Sequence, residues 1–123
     1  MSDKTTLERI AKALEATEEE GRVFYGTASK LPKGASWDYT IFSRAPASTT
    51  EYPTSISDAY EVAVVREGHV PEGRDKAVID AMRSVPGVKV DTAHDIEYVY
   101  QVKPGTRDTV EMMVIRFVKG RRP

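Results

Sequence analysis

The sequence predicts an α+β fold, a mainly antiparallel sheet of five to six strands with two helices on one face. Two segments repeat apolar residues at the i, i+3, i+4, i+7 spacing of a helix stripe. Six others are short apolar or alternating runs typical of strands. Their chain order is α-β-β-β-α-β-β-β, and helices that do not alternate with strands favour α+β. The 123 residues are the length of one domain, predicted to span 1–123.

The first helix is predicted from the apolar stripe of Leu7, Ile10, Ala11 and Leu14. Thr5 and Glu8 have the spacing of a capping box, and Gly21 is a plausible stop. Three acids at 18–20 conflict with the negative end of the helix dipole. We therefore expect the helix to end early, or these acids to meet a basic partner.

The first half of the sheet is predicted from three extended runs at 23–26, 37–44 and 58–66. Between the last two lies 45–57, a segment rich in Ser, Thr, Ala and Pro that lacks an apolar period. Loops of this length are usually functional or mobile. We therefore predict a long mobile loop over 45–57.

The second half is predicted as a helix over 74–84, a short strand over 88–90, and a hairpin. The hairpin strands span 96–102 and 110–118, and a Pro-Gly turn joins them. We predict that the chain ends in a basic tail over 119–123.

The last strand has two apolar faces. One face carries Met113, Ile115 and Phe117, and the other carries Val110, Met112, Val114 and Val118. A strand with one face in water should alternate with polar residues, so both faces need cover. Two helices cover only one face. The sequence leaves open whether a loop of the same chain or a neighbouring subunit covers the other.

The composition excludes several classes of function. With no cysteine there are no disulfides, thiolate nucleophiles or Cys-based zinc sites. Eighteen Lys and Arg against nineteen Asp and Glu give a net charge of -1, without the basic excess of nucleic-acid binders. No apolar run has the length of a secretory leader or of a membrane span. We expect a cytosolic protein with no membrane partner and no sequence-specific nucleic-acid partner.

Two histidines are the candidates for enzymatic chemistry. His94 lies among carboxylates in the segment DTAHD (91–95), where it could be a general base held in one tautomer. His69 could join it as a metal ligand, since two His and a carboxylate are the minimum for a catalytic zinc or non-haem iron. The two lie far apart in loops, and no second catalytic cluster accompanies them. We predict solvated loop histidines, with no catalytic, cofactor-binding or metal-binding residue.

The small net charge is a cancellation between the two ends of the chain. Residues 1–20 contain six acids and three bases, whereas 116–123 contains four bases and no acid. Opposite patches on a small domain suit head-to-tail association, which closes into rings. With the doubly apolar last strand, this predicts an oligomer interface formed by Glu18, Glu19, Glu20, Met112, Met113, Val114, Ile115, Arg121 and Arg122.

Most of the chain, from about residue 7 to 119, resembles small virion proteins encoded by bacterial prophages. The resemblance rests on VFYGTASKLPKGASWDYTIFSR (23–44), SDAYEVAVVREGHVPEG (57–73), PGVKV (86–90) and DIEYVYQVKPGTRDTVEMMVIRFVK (95–119). The element order is similar to that of phage tail terminator and tail-completion proteins.

The resemblance implies a non-enzymatic ring, commonly a hexamer, that caps the tail tube and then joins the head connector. It implies no catalytic residue and no cofactor, and a place in the host cytoplasm during assembly and then in the virion. The partners would be the tail tube protein and head connector proteins. They would contact the 45–57 loop and the 103–109 turn, through Thr49, Thr50, Glu51, Tyr52, Lys103, Thr106 and Arg107.

Three alternatives remain open. The first is a head–tail adaptor in the neck of the same particle. The second is a small enzyme that uses His69, His94 and nearby acids, which requires both histidines to line one pocket. The third is an interaction module unrelated to phage.

Overall fold

A computed structural model describes residues 5–28, 30–45 and 56–121. Two helices and a six-stranded mixed sheet confirm the predicted α+β class. Neither helix in the described part of the chain is long and apolar enough to cross a membrane. In chain order the elements are α1 (Thr6–Glu15), β1 (Val23–Tyr25), β2 (Tyr39–Ala45), β3 (Ile56–Glu67), α2 (Arg74–Arg83), β4 (Val88–Val90), β5 (Glu97–Val102) and β6 (Thr109–Arg121).

The long strand β6 organises the sheet. β3 pairs with one of its edges in antiparallel register, and β2 and then β1 continue the sheet on that side. On its other edge, β4 pairs with residues 117–119 and β5 with residues 109–114. Both are antiparallel to β6, so they run in the same direction along one edge. The segment 91–96 therefore interrupts what would otherwise be one continuous strand. Only the β1–β2 pair is parallel among the described strands.

The main core lies between the helices and one side of the sheet, which we call the helix face. Alternate residues of each strand point to this face, as the two-residue period of strands requires. Each fully buried aliphatic or aromatic side chain contributes about 1.5–3 kcal/mol, so this face supplies most of the apolar stabilisation. Its buried members include Ile10 and Leu14 of α1, Val78 and Met82 of α2, and Phe42, Tyr60, Val62, Val64, Met113, Ile115 and Phe117 of the strands.

The opposite side of the sheet, the outer face, carries a second apolar cluster at one end. Tyr39, Val65 and Val110 are buried there, under the partly buried residues Ala28, Leu31 and Trp37 of the loop that joins β1 to β2. A loop of the same chain therefore covers this end of the outer face, which resolves part of the choice between a loop and a neighbouring subunit.

Each helix begins at a residue suited to that position. Thr5 is the N-cap of α1, and its Oγ1 accepts the backbone N–H of Glu8 at 3.2 Å, as the sequence predicts. Before α2, Gly73 has a φ of 89°, a left-handed conformation that favours glycine. Asp75 in the first turn complements the positive end of the helix dipole.

α1 ends at Glu15 rather than near the predicted stop at Gly21. The N–H and the hydroxyl of Thr17 both donate to the carbonyl of Leu14, at 2.9 and 2.7 Å, and close the last turn. The chain then leaves the helix axis. Residues 18–20 consequently do not extend the helix into its own unfavourable dipole.

A buried ion cluster, the Glu18 cluster, joins four elements of the fold. The Glu18 side chain is 6% exposed, and its Oε1 accepts Nη2 of Arg66 on β3. The same oxygen accepts Nη2 of Arg74 at the start of α2, at 3.1 Å. The hydroxyl of Thr40 on β2 donates to Oε2 at 2.7 Å. The sequence predicts that α1 ends early or that the acids at 18–20 meet a basic partner, and the structure shows both.

The predicted loop and the predicted tail both overlap strands of the sheet. The 45–57 segment overlaps the last residue of β2 and the first two of β3, and its centre, 46–55, lies outside the described residues. The predicted tail, 119–123, begins inside β6, because 119–121 pair with β3. The alternation of apolar residues in β6 stops before its backbone pairing with β3 does, so the sequence pattern places the end of the strand too early.

Replacing Glu18 tests the buried cluster. Glu18→Ala leaves two guanidinium groups without their shared carboxylate, and we expect it to lower the free energy of unfolding by about 3 kcal/mol. The matched control is Glu19→Ala, which removes an exposed acid next to it and should cost about 0.5 kcal/mol or less. Urea unfolding at pH 7 measures both. Equal losses for the two variants would show that the cluster adds no stability.

Candidate functional site

A polar cluster lies on the outer face, where the segment 91–96 interrupts the strand. The backbone N–H of Asp91 donates to the carbonyl of Arg116 at 2.9 Å, which attaches the segment to β6. Asp91 Oδ1 accepts the N–H of Ala93 at 3.0 Å, and Oδ2 lies 2.7 Å from Nδ1 of His94. Nη2 of Arg116 is 3.5 Å from Oε2 of Glu61 on β3. Asp91, His94, Arg116 and Glu61 form what we call the outer-face cluster.

The charges in this cluster fix the role of the imidazole. Arg116 Nη1 lies 3.4 Å from His94 Nε2, and a guanidinium can only donate. In the neutral imidazole, Nε2 is then the acceptor and Nδ1–H donates to Asp91. The N–H of Ala93, followed by the hydrogen bond and charge of His94 and the charge of Arg116, lowers the pKa of Asp91 below its ordinary value.

A cavity of about 300 Å³ lies beside the cluster. Its described lining mixes charged and apolar side chains: Glu61, His94, Asp95, Glu97, Val99, Met112, Val114 and Arg116. No hydroxyl or thiol nucleophile stands among these residues for His94 to activate. The nitrogen that would act as a base already faces Arg116. The arrangement therefore holds the interruption against β6.

The structure does not bring the two histidines together. His69 lies beyond β3, near Glu111 on the helix face, whereas His94 contacts Arg116 on the outer face. Residues 111 and 116 of one strand are separated by about 17 Å. Neither cavity described near them includes both histidines. In the described part of the chain, no group of three or more His, Cys, Asp or Glu residues could hold a metal ion.

The most unusual surface is β5, in which every residue is exposed. It supplies four of the five exposed large apolar side chains in the described chain: Tyr98 (49%), Val99 (44%), Tyr100 (61%) and Val102 (60%). Exposed apolar residues that cluster in this way mark interaction sites. The sequence predicted this strand but not its exposure. The available signal was a run of Tyr and Val on both faces, in a hairpin strand that could form an edge.

Hydrogen bonds hold β5 rigidly against β6 despite its exposure. The phenol of Tyr100 is hydrogen-bonded to Glu111, and this contact raises the pKa of Tyr100. Glu111 Oε1 also accepts the N–H of Val70 at 2.7 Å, which lowers the pKa of that carboxyl, with a further lowering from Tyr100. The ring of Tyr100 is therefore held in place on this surface.

Three of the predicted interface residues are used inside the chain. Glu18 is buried in the Glu18 cluster, so it is not available to a second subunit. Met113 and Ile115 are each 1% exposed in the main core, because alternate residues of β6 point to the helix face and these two are among them. These three are corrections to the predicted interface.

The remaining interface candidates are at or near the surface, or outside the described side chains. Glu19 and Glu20 are exposed, and Met112 and Val114 are half-buried on the outer face. Arg121 is described only through its backbone pairing, and Arg122 lies outside the described residues.

Some of the residues predicted to contact the tail or connector are described by the structure, and the others lie outside the described residues. Residues 49–52 lie outside the described part of the chain. In the turn between β5 and β6, Lys103 is half-buried and its Nζ is 2.8 Å from Glu67. Thr106 and Arg107 are exposed, and the Thr106 hydroxyl donates to the Lys103 carbonyl at 2.9 Å. The turn is therefore an ordered, exposed projection.

The pH dependence of stability tests the outer-face cluster. Because folding lowers the pKa of Asp91, its charged form stabilises the fold above the ordinary value of 3.8. That contribution is lost as pH falls through the lower pKa of the folded state. We expect Asp91→Asn to cost roughly 0.5–1 kcal/mol at pH 7, with the difference from the unmodified protein vanishing in strong acid. Asp95→Asn is the control at pH 7. Urea unfolding across pH 2–7 measures the effect, and a pH-independent loss would contradict this origin.

Comparison with protein-family models and with curated proteins finds no match for this chain. The fold itself is established as α+β by its two helices and six-stranded sheet. Its role has to be argued from the positions of charge, exposed apolar surface and unpaired backbone.

Proposed function

We propose that this chain is a non-enzymatic structural subunit that acts as a ring, of the kind found in bacteriophage tail terminators. The resemblance of its sequence and element order to that group suggests the role. The observation that carries the proposal is the placement of opposite charges at the two ends of α1.

Lys119, one of the bases near the end of the chain, lies beside the start of α1. Lys119, near the end of β6, donates from Nζ to Oγ1 of Thr6 at 2.7 Å. The exposed acids Glu19 and Glu20 follow the other end of the helix. A helix of ten residues is about 15 Å long, so the two charged patches are well separated.

Because the acidic and basic patches lie apart on one subunit, they favour contact between the acidic patch of one subunit and the basic patch of another. Glu18 is already paired with two arginines, which leaves Glu15, Glu19 and Glu20 as the exposed acids of that end. The acidic end of one subunit attracts the basic end of the next, and this repeats as a head-to-tail contact. Head-to-tail contacts close into a ring when the rotation per subunit allows it.

Under this proposal the ring caps the tail tube and then meets the head connector. It would form in the host cytoplasm and remain in the tail or neck of the virion. The exposed 103–108 turn projects from the sheet as a contact surface for either partner. Purified tail tube and portal proteins would distinguish the two positions, since binding to the portal alone would indicate a neck adaptor.

A charge exchange tests the head-to-tail contact. We expect the unmodified chain to sediment as several times 13.7 kDa at micromolar concentration and low salt, and to dissociate as salt rises. Glu19→Lys/Glu20→Lys should be monomeric, and so should Arg121→Glu/Arg122→Glu, because each places like charges in contact. An equimolar mixture of the two should recover the large species, since every contact in an alternating ring is again complementary.

The control is Asp80→Lys, which reverses an exposed charge on α2 and should leave the assembly intact. Negative-stain images of the unmodified protein show whether the large species is a closed ring. A mass of 13.7 kDa under all these conditions would refute the proposal.

A further inference from the structure

β5 has one paired edge and one edge that no described strand covers. Lys103 lies opposite Asp108 and donates its N–H to that carbonyl at 2.9 Å, so its backbone faces β6. Because backbone groups alternate along an antiparallel strand, Gln101, Val99 and Glu97 also face β6. The N–H and C=O groups of Tyr98, Tyr100 and Val102 therefore point away from the sheet.

We propose that this edge pairs with β5 of a second copy, antiparallel about a two-fold axis at Tyr100, so that the two sheets become one. The proposal does not depend on the ring proposed above. It rests on the strand edge, whereas the ring rests on the charged ends of α1.

The edge lacks the features that keep strands apart. Natural edge strands carry a Lys, a Pro, a bulge or a very short length that blocks pairing. β5 has six residues, and none between Tyr98 and Val102 is charged or is proline. The other described edges, β1 and β4, have three residues each. β5 is thus the described edge best able to accept a strand.

The register follows from the backbone directions. Outward-facing residues must oppose outward-facing residues, which requires a shift by an even number of positions. With Tyr100 opposite Tyr100 of the partner subunit, Tyr98 lies opposite Val102 of the partner subunit. All three outward N–H groups and all three outward carbonyls then find partners.

Neighbouring registers are poorer. Moving the axis to Gln101 sets Tyr98 against Pro104 of the partner subunit, which has no N–H. Moving it to Val99 sets Glu97 against Gln101 of the partner subunit, with no opposite charge. Only the register at Tyr100 satisfies the backbone and places Glu97 opposite Lys103 of the partner subunit.

The side chains fit this register on both faces. On the helix face, Tyr100 meets its own symmetry mate and Tyr98 meets Val102, so three of the exposed large apolar side chains of the described residues cover one another. On the outer face, Glu97 meets Lys103, once on each side of the axis. Lys103 already holds Glu67, and its ammonium has three donors to share between two carboxylates. A second copy of this chain is therefore the occupant that matches the edge in shape and charge.

The absence of cysteine makes a disulfide test of the register possible. Hydrogen-bonded antiparallel pairs have Cα atoms about 5.5 Å apart, within the range of a disulfide. Tyr100→Cys should form a covalent dimer under mild oxidation. Tyr98→Cys alone should not, because its symmetry mate lies four positions away, but it should cross-link with Val102→Cys in a mixture. Non-reducing electrophoresis measures the product. Cross-linking of Tyr98→Cys alone as fast as Tyr100→Cys would overturn the register.

Charge at the axis tests the contact without cysteine. Tyr100→Lys and Tyr100→Glu each place a like charge against itself, and each should raise the dimer dissociation constant at least about tenfold. A mixture of the two should form a heterodimer. Sedimentation velocity measures these species, and circular dichroism checks that each variant folds.

The results separate this proposal from the ring. Loss of the two-fold pair in a Tyr100 variant that still forms rings would support both contacts. Rings formed by the unmodified chain, together with no cross-link in the Tyr100→Cys variant, would overturn the β5 pairing alone. A unit of twice 13.7 kDa that withstands high salt, without larger species, would support the pairing and refute the ring.

Discussion

The fold depends on one carboxylate buried beneath the sheet. Glu18 reaches Thr40 on β2, Arg66 on β3 and Arg74 at the start of α2, so a single side chain fixes both helices to the sheet. A buried charge is tolerated only when it is paired and hydrogen-bonded, and here each partner needs the others. α1 ends at Glu15, so Glu18 reaches these partners from the segment that follows the helix.

The second constraint is that one strand, β6, pairs with three others, β3, β4 and β5. β3 occupies one edge, and the other edge is longer than β4 can fill, so the chain leaves the edge at 91–96 and returns as β5. The outer-face cluster attaches the segment 91–96 to β6, through the backbone hydrogen bond between Asp91 and Arg116. The same polar residues that look catalytic in the sequence thus attach to β6 the segment that leads into β5.

These two constraints leave two kinds of surface for association. The Glu18 cluster pairs one acid with two arginines and leaves Glu19 and Glu20 exposed after α1, whereas Lys119 of β6 lies at the other end of the helix. The detour leaves β5 outside the cover of the helices, with an unpaired edge and four exposed apolar side chains. One surface is charged and suits unlike contacts, whereas the other is apolar and self-complementary.

Periodicity alone determined the element types, their order and the two faces of β6, because helix stripes and strand alternation are local properties of the chain. Composition alone excluded thiol chemistry. The tertiary structure decided what depends on residues distant in sequence. Glu18 and Arg66 are 48 positions apart, so no local pattern could show that an acid expected at an interface lies in the core. The exposure of β5 also depended on the tertiary structure, since a run of Tyr and Val on both faces does not show whether the helices cover that strand or another.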